Sequence, residues 1–101
     1  MEFKINGRHV EITNPIREYA EQKTARLPRY FDRIQSIEVK IAKPDAKHFE
    51  VEIVADIEHA KDIIARRTAE DLYAAIDEAV DKTERQLTDH KEKLRNRKHI
   101  A

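Results

Sequence analysis

The chain has 101 residues, of which 40% are hydrophobic and 40% are charged, and its formal net charge is zero. This length allows one domain with a single hydrophobic core, and the charged fraction is well above the roughly 25% of an average domain. There is no cysteine, which excludes disulfides and thiolate metal sites, and no apolar run near the N-terminus resembles a signal peptide or a membrane span, so we expect a cytoplasmic protein without a membrane partner.

The first elements in chain order are a strand and a helix. The stretch "MEFKIN" alternates apolar and polar residues, which is the period of a half-buried strand. The stretch "TNPIREYAEQKTARL" has the spacing of an amphipathic helix, with Thr13 or Asn14 as its cap and Pro15 at its first position. Pro28 should end this helix within a turn or two.

Three further strands are predicted after the helix. The stretches "IQSIEVKIAK" and "HFEVEIVAD" both alternate, and "KPDAK" between them carries the Pro and Asp of a hairpin turn. The stretch "KDIIARR" predicts a third antiparallel strand after the short loop "EHA". Its register stays open, because Ile63 with Ala65 and Ile64 with Arg66 compete for the inner face.

A long second helix is predicted from the region of Thr68 onward. Thr68 and Asp71 have the spacing of a capping box, and the helical period then continues from Ala69 to about Arg95. One face of this helix carries an apolar stripe made of Leu72, Ile76, Val80, Thr83, Leu87 and Leu94.

These elements predict an α+β fold of order β-α-β-β-β-α. A right-handed crossover makes the first two strands parallel neighbours, which gives a mixed four-stranded sheet with two helices packed side by side on one face. We predict one domain over residues 1–95 and a short basic C-terminal tail over residues 96–101. The second helix is longer than any of the strands, so its basic end should extend beyond the sheet.

The neutral net charge conceals segregation along the chain. Residues 69–89 hold two basic and seven acidic side chains, whereas residues 90–101 hold five basic and one acidic. Two explanations stay open for the basic end: it complements the dipole of the helix, or it docks on a polyanion.

On a helical wheel of the second helix, the basic row lies beside the apolar stripe rather than opposite it, so any docking surface would flank the core. Lys23 falls within the apolar stripe of the first helix and Arg26 falls at its edge. If the two helices lie side by side, their cations converge on one positive surface suited to a phosphate backbone, although Glu84, Asp89 and Glu92 interrupt the basic row. The cations of this predicted surface are Lys23, Arg26, Lys82, Arg85, Lys93 and Arg97.

Other chemistry finds little support in the sequence. The five histidines show neither HxH nor HExxH spacing, so no metal site is predicted. A chain with one glycine has no phosphate-cradling loop and no nucleophile elbow, so we predict no enzyme, no cofactor and no small-molecule substrate. The aromatic residues do not alternate with basic ones, which predicts that any RNA contact reads backbone and shape rather than bases.

Three stretches resemble the ribosome hibernation promoting factor and ribosome-associated inhibitor family, in its short form or as the N-terminal domain of a long form. They are "NGRHVEIT", "IREYAEQKTARLPRYFDRI" and "EDLYAAIDEAVDKTERQLTDHKEKL". The resemblance implies a non-enzymatic ribosome-binding domain over residues 1–95 that binds rRNA in the decoding channel of the small ribosomal subunit. It also implies that mRNA and tRNA sites are blocked in stationary or stressed cells. The positions it implies for rRNA contact are Lys23, Arg26, Lys82, Arg85, Gln86, Lys91 and Lys93.

Two other functions remain as alternatives. The acidic hairpin of residues 44–62 carries six acidic and two basic side chains and could bind a basic protein partner. A generic double-stranded RNA binder also lays two helices on a small sheet and recognises its ligand by shape.

Overall fold

A computed structural model describes the backbone of residues 1–100, with side chains through Arg95. The elements occur in the predicted order β-α-β-β-β-α, with one short 3₁₀ turn at Leu27–Arg29. Their bounds are β1 (Glu2–Arg8), α1 (Asn14–Thr24), β2 (Ile34–Ala42), β3 (Phe49–Ile57), β4 (Ile63–Ala69) and α2 (Leu72–Ile100).

The four strands form one mixed sheet of order β1-β2-β3-β4. The predicted parallel pairing of β1 with β2 is confirmed, and β2, β3 and β4 are joined by antiparallel pairings. The hairpin between β2 and β3 is held by Asp45, whose carboxylate accepts hydrogen bonds from the backbone N–H groups of Lys47 and His48. This arrangement is the Asx turn expected from the Pro-Asp pair.

Both helices cover the same face of the sheet and enclose one hydrophobic core. The inward residues of β2 (Ile37, Val39, Ile41) and of β3 (Val51, Ile53, Ala55) are buried, and Phe49 is half-buried. The α2 stripe is buried as far as Leu87, with Leu94 packed at its margin. Ala75 and Ala79 widen this stripe and allow α2 to approach the sheet closely. The largest fully buried side chains are Leu27, Ile37, Ile41, Ile53, Ile57, Ile76 and Leu87.

The register of β4, which the sequence left open, is fixed by its pairing with β3. Ala65 pairs with Ile53 and is completely buried, whereas Ile64 is 52% exposed. Ile63 and Ala65 therefore face the helices. By the alternation of a strand, Arg67 lies on that same side and Arg66 on the open face of the sheet.

The predicted start of α2 was wrong by three residues. Thr68 and Ala69 belong to β4, and the helix begins at Leu72. Asp71 caps it, because the Asp71 carboxylate accepts a hydrogen bond from the Ala74 N–H at 3.0 Å. The pairing of β4 with β3 continues to Ala69, so the tertiary ladder overrides the local helical signal.

The far end of α2 runs to Ile100, past the predicted end near Arg95. The predicted basic tail of residues 96–101 therefore has a helical backbone through Ile100, and its side chains lie outside the described residues. A helix of 29 residues spans ~43 Å. Strands of nine residues span ~30 Å, so α2 extends beyond the sheet, in keeping with the 51 Å long axis of the molecule.

Helix α1 begins as predicted and ends early. The Thr13 hydroxyl accepts from the Ile16 N–H, and Pro15 occupies the first turn. The helix ends at Thr24, and Leu27 packs into the core from the 3₁₀ turn that contains Pro28.

Gly7 occupies a position where no side chain fits. A Cβ atom added there would lie 2.1 Å from the Val10 carbonyl oxygen. The segment after β1 folds tightly back over the strand at this point, so the one glycine of the chain is required by a close backbone approach.

Candidate nucleic-acid interface

The helices α1 and α2 meet along a polar contact that we call the helix seam. It is formed by Tyr19 and Lys23 of α1, by Arg26 just after the end of α1, and by Tyr73, Asp77, Asp81 and Glu84 of α2. Lys23 Nζ lies 3.6 Å from Asp77 Oδ1. Arg26 Nη2 donates to Asp81 Oδ1 at 3.2 Å, and its Nε lies 2.5 Å from Glu84 Oε1 in an ion pair without hydrogen-bond geometry. Lys23 and Arg26 are therefore partly neutralised by α2 carboxylates.

Tyr19 gives the helix seam its most specific contact. Its hydroxyl donates to Asp77 Oδ1 at 2.6 Å, and its ring meets Tyr73 edge to face with centroids 4.8 Å apart. The hydrogen bond to Asp77, followed by burial, raises the pKa of Tyr19 to about 12. Lys23 lies over the same ring at 5.4 Å from its centroid, which explains how a lysine is accommodated in the apolar stripe of α1.

The predicted single positive surface across both helices does not form. The helices do lie side by side, but the carboxylates of the helix seam pair with Lys23 and Arg26 and lie between them and the α2 cations. The interpretation failed because a helical wheel places residues on one helix and does not show which carboxylates of the neighbour face them. The predicted rRNA contacts of Lys23 and Arg26 stay predictions.

A second cluster lies on the opposite flank of α2, in an open depression of about 670 Å³ that we call the β4 cleft. Arg67 of β4 faces Lys82 and Arg85 of α2 there, and Lys82 Nζ approaches the Arg66 carbonyl at 3.5 Å. Among the described residues, none of these three side chains has a carboxylate oxygen within 4.0 Å. The acids that also line the β4 cleft are Glu78 and Asp81, the latter already paired with Arg26.

The sequence analysis missed Arg67 as a site residue. The Arg66–Arg67 doublet was visible as a basic segment, but its partner was not, because the register of β4 was undetermined. Once Ala65 is seen to be buried, the alternation of the strand directs Arg67 toward α2.

The remaining predicted residues of the α2 flank follow the β4 cleft toward the C-terminus. Gln86 is half-buried one turn after Lys82, and exposed Lys93 continues the same flank two turns later. Arg97 would extend the row, but its side chain lies outside the described residues.

Lys91 does not join this row. It lies on the flank of α2 that faces the connection between α1 and β2, in a depression of about 390 Å³ that we call the loop groove. The loop groove is lined by Pro28, Arg29, Tyr30, Phe31, Asp32 and Arg33 of the connection and by Lys91, Leu94 and Arg95 of α2.

The acidic hairpin offers fewer accessible charges than its sequence suggests. Glu52 pairs with Arg66 at 2.5 Å and lies 3.9 Å from Lys40, and Glu50 lies 3.7 Å from Arg66. The hydrogen bond and charge of Glu52 raise the pKa of Arg66 above its ordinary value. These acids thus form cross-strand pairs on the open face of the sheet.

Two absences concern only the part of the chain that the structure describes. No group of three or more His, Cys, Asp or Glu side chains in it is arranged to hold a metal ion. No helix within it is both long enough and apolar enough to cross a bilayer.

Comparison with known sequences identifies the kind of protein that this chain resembles. Residues 3–95 match the family described as sigma 54 modulation protein / S30EA ribosomal protein. The ribosome hibernation promoting factor of Pseudomonas putida KT2440 is 42% identical over 93 residues, which cover 92% of this chain and 89% of that protein. The factor of the same name from Escherichia coli K12 is 39% identical over 95 residues, covering 94% of this chain and 98% of its own length.

Solved structures show the same fold. The N-terminal domain of Thermus thermophilus Protein Y superposes with a TM-score of 0.79 at 38% identity, covering 89% of this chain and 99% of that one. A ribosomal subunit interface protein from Coxiella burnetii gives a TM-score of 0.84 at 25% identity, with coverages of 91% and 99%.

Proposed function

The chain belongs to the sigma 54 modulation protein / S30EA ribosomal protein family, which consists of non-enzymatic ribosome-binding proteins, and from this premise we propose that it binds rRNA of the small ribosomal subunit as a hibernation factor. A role in ribosome hibernation follows from the relatives that carry that name. Binding within the decoding channel, where the protein excludes mRNA and tRNA in stationary or stressed cells, is the finer part of the proposal. A ribosomal partner also implies a cytoplasmic location.

The β4 cleft supports this proposal most directly. Arg67, Lys82 and Arg85 project from two rigid elements and have no carboxylate partner within 4.0 Å among the described residues. Cations that are not internally paired are free to replace the counterions of a phosphate backbone, and that replacement is the main source of affinity for RNA. An exposed ion pair, such as that of Lys23 with Asp77, must first be broken, so its cation contributes less to the affinity for RNA.

The proposal is tested by sedimentation of the chain with purified small subunits at several salt concentrations. We expect binding that weakens steeply with salt and that is lost in the triple variant Lys82→Glu/Lys93→Glu/Arg85→Glu. A matched control is the triple variant Lys4→Glu/Lys47→Glu/Lys61→Glu, which makes the same change in net charge at exposed positions away from α2. Equal loss in both variants, or no loss in the first, would show that the α2 flank is not the binding surface.

The location on the subunit needs a second measurement. If the protein occupies the decoding channel, subunits loaded beforehand with mRNA and initiator tRNA should bind it much more weakly than vacant subunits. If loaded and vacant subunits bind the protein with equal affinity, the decoding-channel site is contradicted, whereas association with the ribosome still holds. Free duplex RNA that competes as well as the subunit would favour the generic duplex binder instead.

A further inference from the structure

The loop groove brings four cations together with an exposed tyrosine ring, and the sequence did not suggest that these residues were adjacent. Arg29 lies in the middle and Arg33 at the end of the α1–β2 connection, and Lys91 and Arg95 lie one turn apart on α2. No carboxylate oxygen of the described residues lies within 4.0 Å of any of these four cations, although Asp32 also lines the depression.

The wall of the loop groove is aromatic and held in place. Phe31 is 6% exposed and packs edge to face on His90 of α2, with centroids 5.2 Å apart. The Tyr30 N–H donates to the Leu27 carbonyl at 2.9 Å, which fixes the preceding turn. Tyr30 itself is 39% exposed and lines the groove, so its ring remains available to a ligand.

We propose that the loop groove binds an unpaired nucleotide of RNA, with the phosphate held by Lys91, Arg95 and the two arginines of the connection and the base stacked on Tyr30. Stacking on aromatic side chains beside a basic track is how single strands are bound without base-specific hydrogen bonds. The volume of about 390 Å³ lies within the range of pockets that enclose small ligands. The inference deepens the proposed function, since the RNA in question would be ribosomal.

A duplex does not suit the loop groove, because paired bases are stacked within the helix and cannot reach an aromatic wall. The β4 cleft differs in this respect, since none of its lining residues is aromatic. The two sites lie on different sides of α2, and Tyr30 of the loop groove and Arg85 of the β4 cleft both line a depression between them that also holds the acids Asp81, Glu84 and Asp89. The protein thus has one site suited to backbone phosphate and another suited to a splayed nucleotide.

The test measures the affinity of the full chain for a short, single-stranded fluorescent oligouridylate. An RNA duplex of the same length is the comparison ligand. Tyr30→Ala should lower the oligouridylate affinity at least about fivefold, the loss expected for one stacked base, and should leave the salt dependence unchanged. Lys91→Glu/Arg95→Glu should lower the affinity and also reduce the slope of log K against log salt by about 0.7 for each cation removed. Duplex binding should change little in Tyr30→Ala.

Matched controls lie outside both sites. Lys4→Glu/Lys61→Glu makes an equal charge change at exposed positions away from the loop groove and the β4 cleft. Tyr73→Ala removes another tyrosine of similar exposure, 38%. Circular dichroism verifies that each variant is folded. Oligouridylate carrying 4-thiouridine should cross-link on irradiation to the peptide that contains Tyr30, located by mass spectrometry.

Three results would overturn the inference: cross-links only to other segments, oligouridylate affinity in Lys91→Glu/Arg95→Glu equal to that of the wild type, or an effect of Tyr30→Ala no larger than that of Tyr73→Ala.

These outcomes are distinct from failure of the proposed function. If the chain does not sediment with small subunits but the loop-groove variants still lose oligouridylate, the site stands and the ribosomal role fails. If subunit binding depends on Lys82 and Arg85 and the loop-groove variants bind oligouridylate normally, the role stands and the site fails.

Discussion

The guanidinium of Arg26, two residues after the end of α1, faces Glu84 on α2, with the Nε and Oε1 atoms 2.5 Å apart. Glu84 is only 17% exposed in its side chain, so this acid is committed to the helix seam rather than to solvent. The contact joins the two helices, and it also reduces the charge that Arg26 can present to RNA. If Arg26 contacts RNA as predicted, stability and RNA affinity are in opposition at this position.

Glu84→Gln should separate these two effects. Because the substitution removes the charge that neutralises Arg26, we expect affinity for the small subunit to rise by up to about fivefold, while stability falls by no more than about 1 kcal/mol, the upper range for a partly exposed pair. Equilibrium binding and urea unfolding measure the two quantities. Glu18→Gln, at an exposed position of α1, is the control for net charge. Unchanged affinity in Glu84→Gln would mean that Arg26 takes no part in binding.

Tyr19→Phe tests the hydrogen bond of the helix seam. Loss of the 2.6 Å bond to Asp77 should lower the free energy of unfolding by about 1.5 kcal/mol near neutral pH, the lower range for a bond to a charged group. Since the folded pKa of about 12 is above the ordinary value of 10.0, the contribution of Tyr19 is complete below pH 10 and is lost as the pH rises toward 12. The difference in stability between the wild type and Tyr19→Phe should therefore shrink over that interval. A difference that stays constant to pH 12 would contradict the bond.

Arg67→Glu tests whether β4 contributes to the interface. We expect a loss of subunit affinity comparable to that of Arg85→Glu, because both side chains line the β4 cleft without a carboxylate partner among the described residues. Lys23→Glu should have a smaller effect, since Lys23 is already 3.6 Å from Asp77. Affinities measured over a range of salt should also give a smaller slope for Arg67→Glu. If Lys23→Glu were the more damaging change, the helix seam would be the main interface.

Asp71→Ala tests where α2 begins. Removing the N-cap carboxylate should cost about 1 kcal/mol, which corresponds to a fall in melting temperature of about 4–8 °C for a domain of this size. Thr68→Ala is the matched control and should have little effect, because Thr68 lies in β4 and does not cap the helix. If Thr68→Ala instead lowered the melting temperature more than Asp71→Ala, the helix start predicted from the sequence would be supported.

The limits of prediction are clearest at the candidate site. Lys82 could be named from the sequence, because the helical period of α2 places it beside the apolar stripe, and Arg85 lies further round the same helix. Arg67 could not be named, because its direction depends on a register that Ile63 and Ile64 left undecided. Tyr30 could not be named either, because only the return of the α1–β2 connection onto α2 places it beside Lys91 and Arg95.

The sequence by itself determined the order of the elements and most of the core, because apolar periodicity and chain reversal signals act over a few residues. The parallel pairing of β1 with β2 followed from the handedness of the crossover. The tertiary structure decided which charges are paired and which are free. An ion pair such as Arg26 with Glu84 joins residues far apart in the chain, and its existence depends on separations of a few ångströms that local patterns do not encode. For a chain with as many acids as bases, that distribution decides where a polyanion can bind.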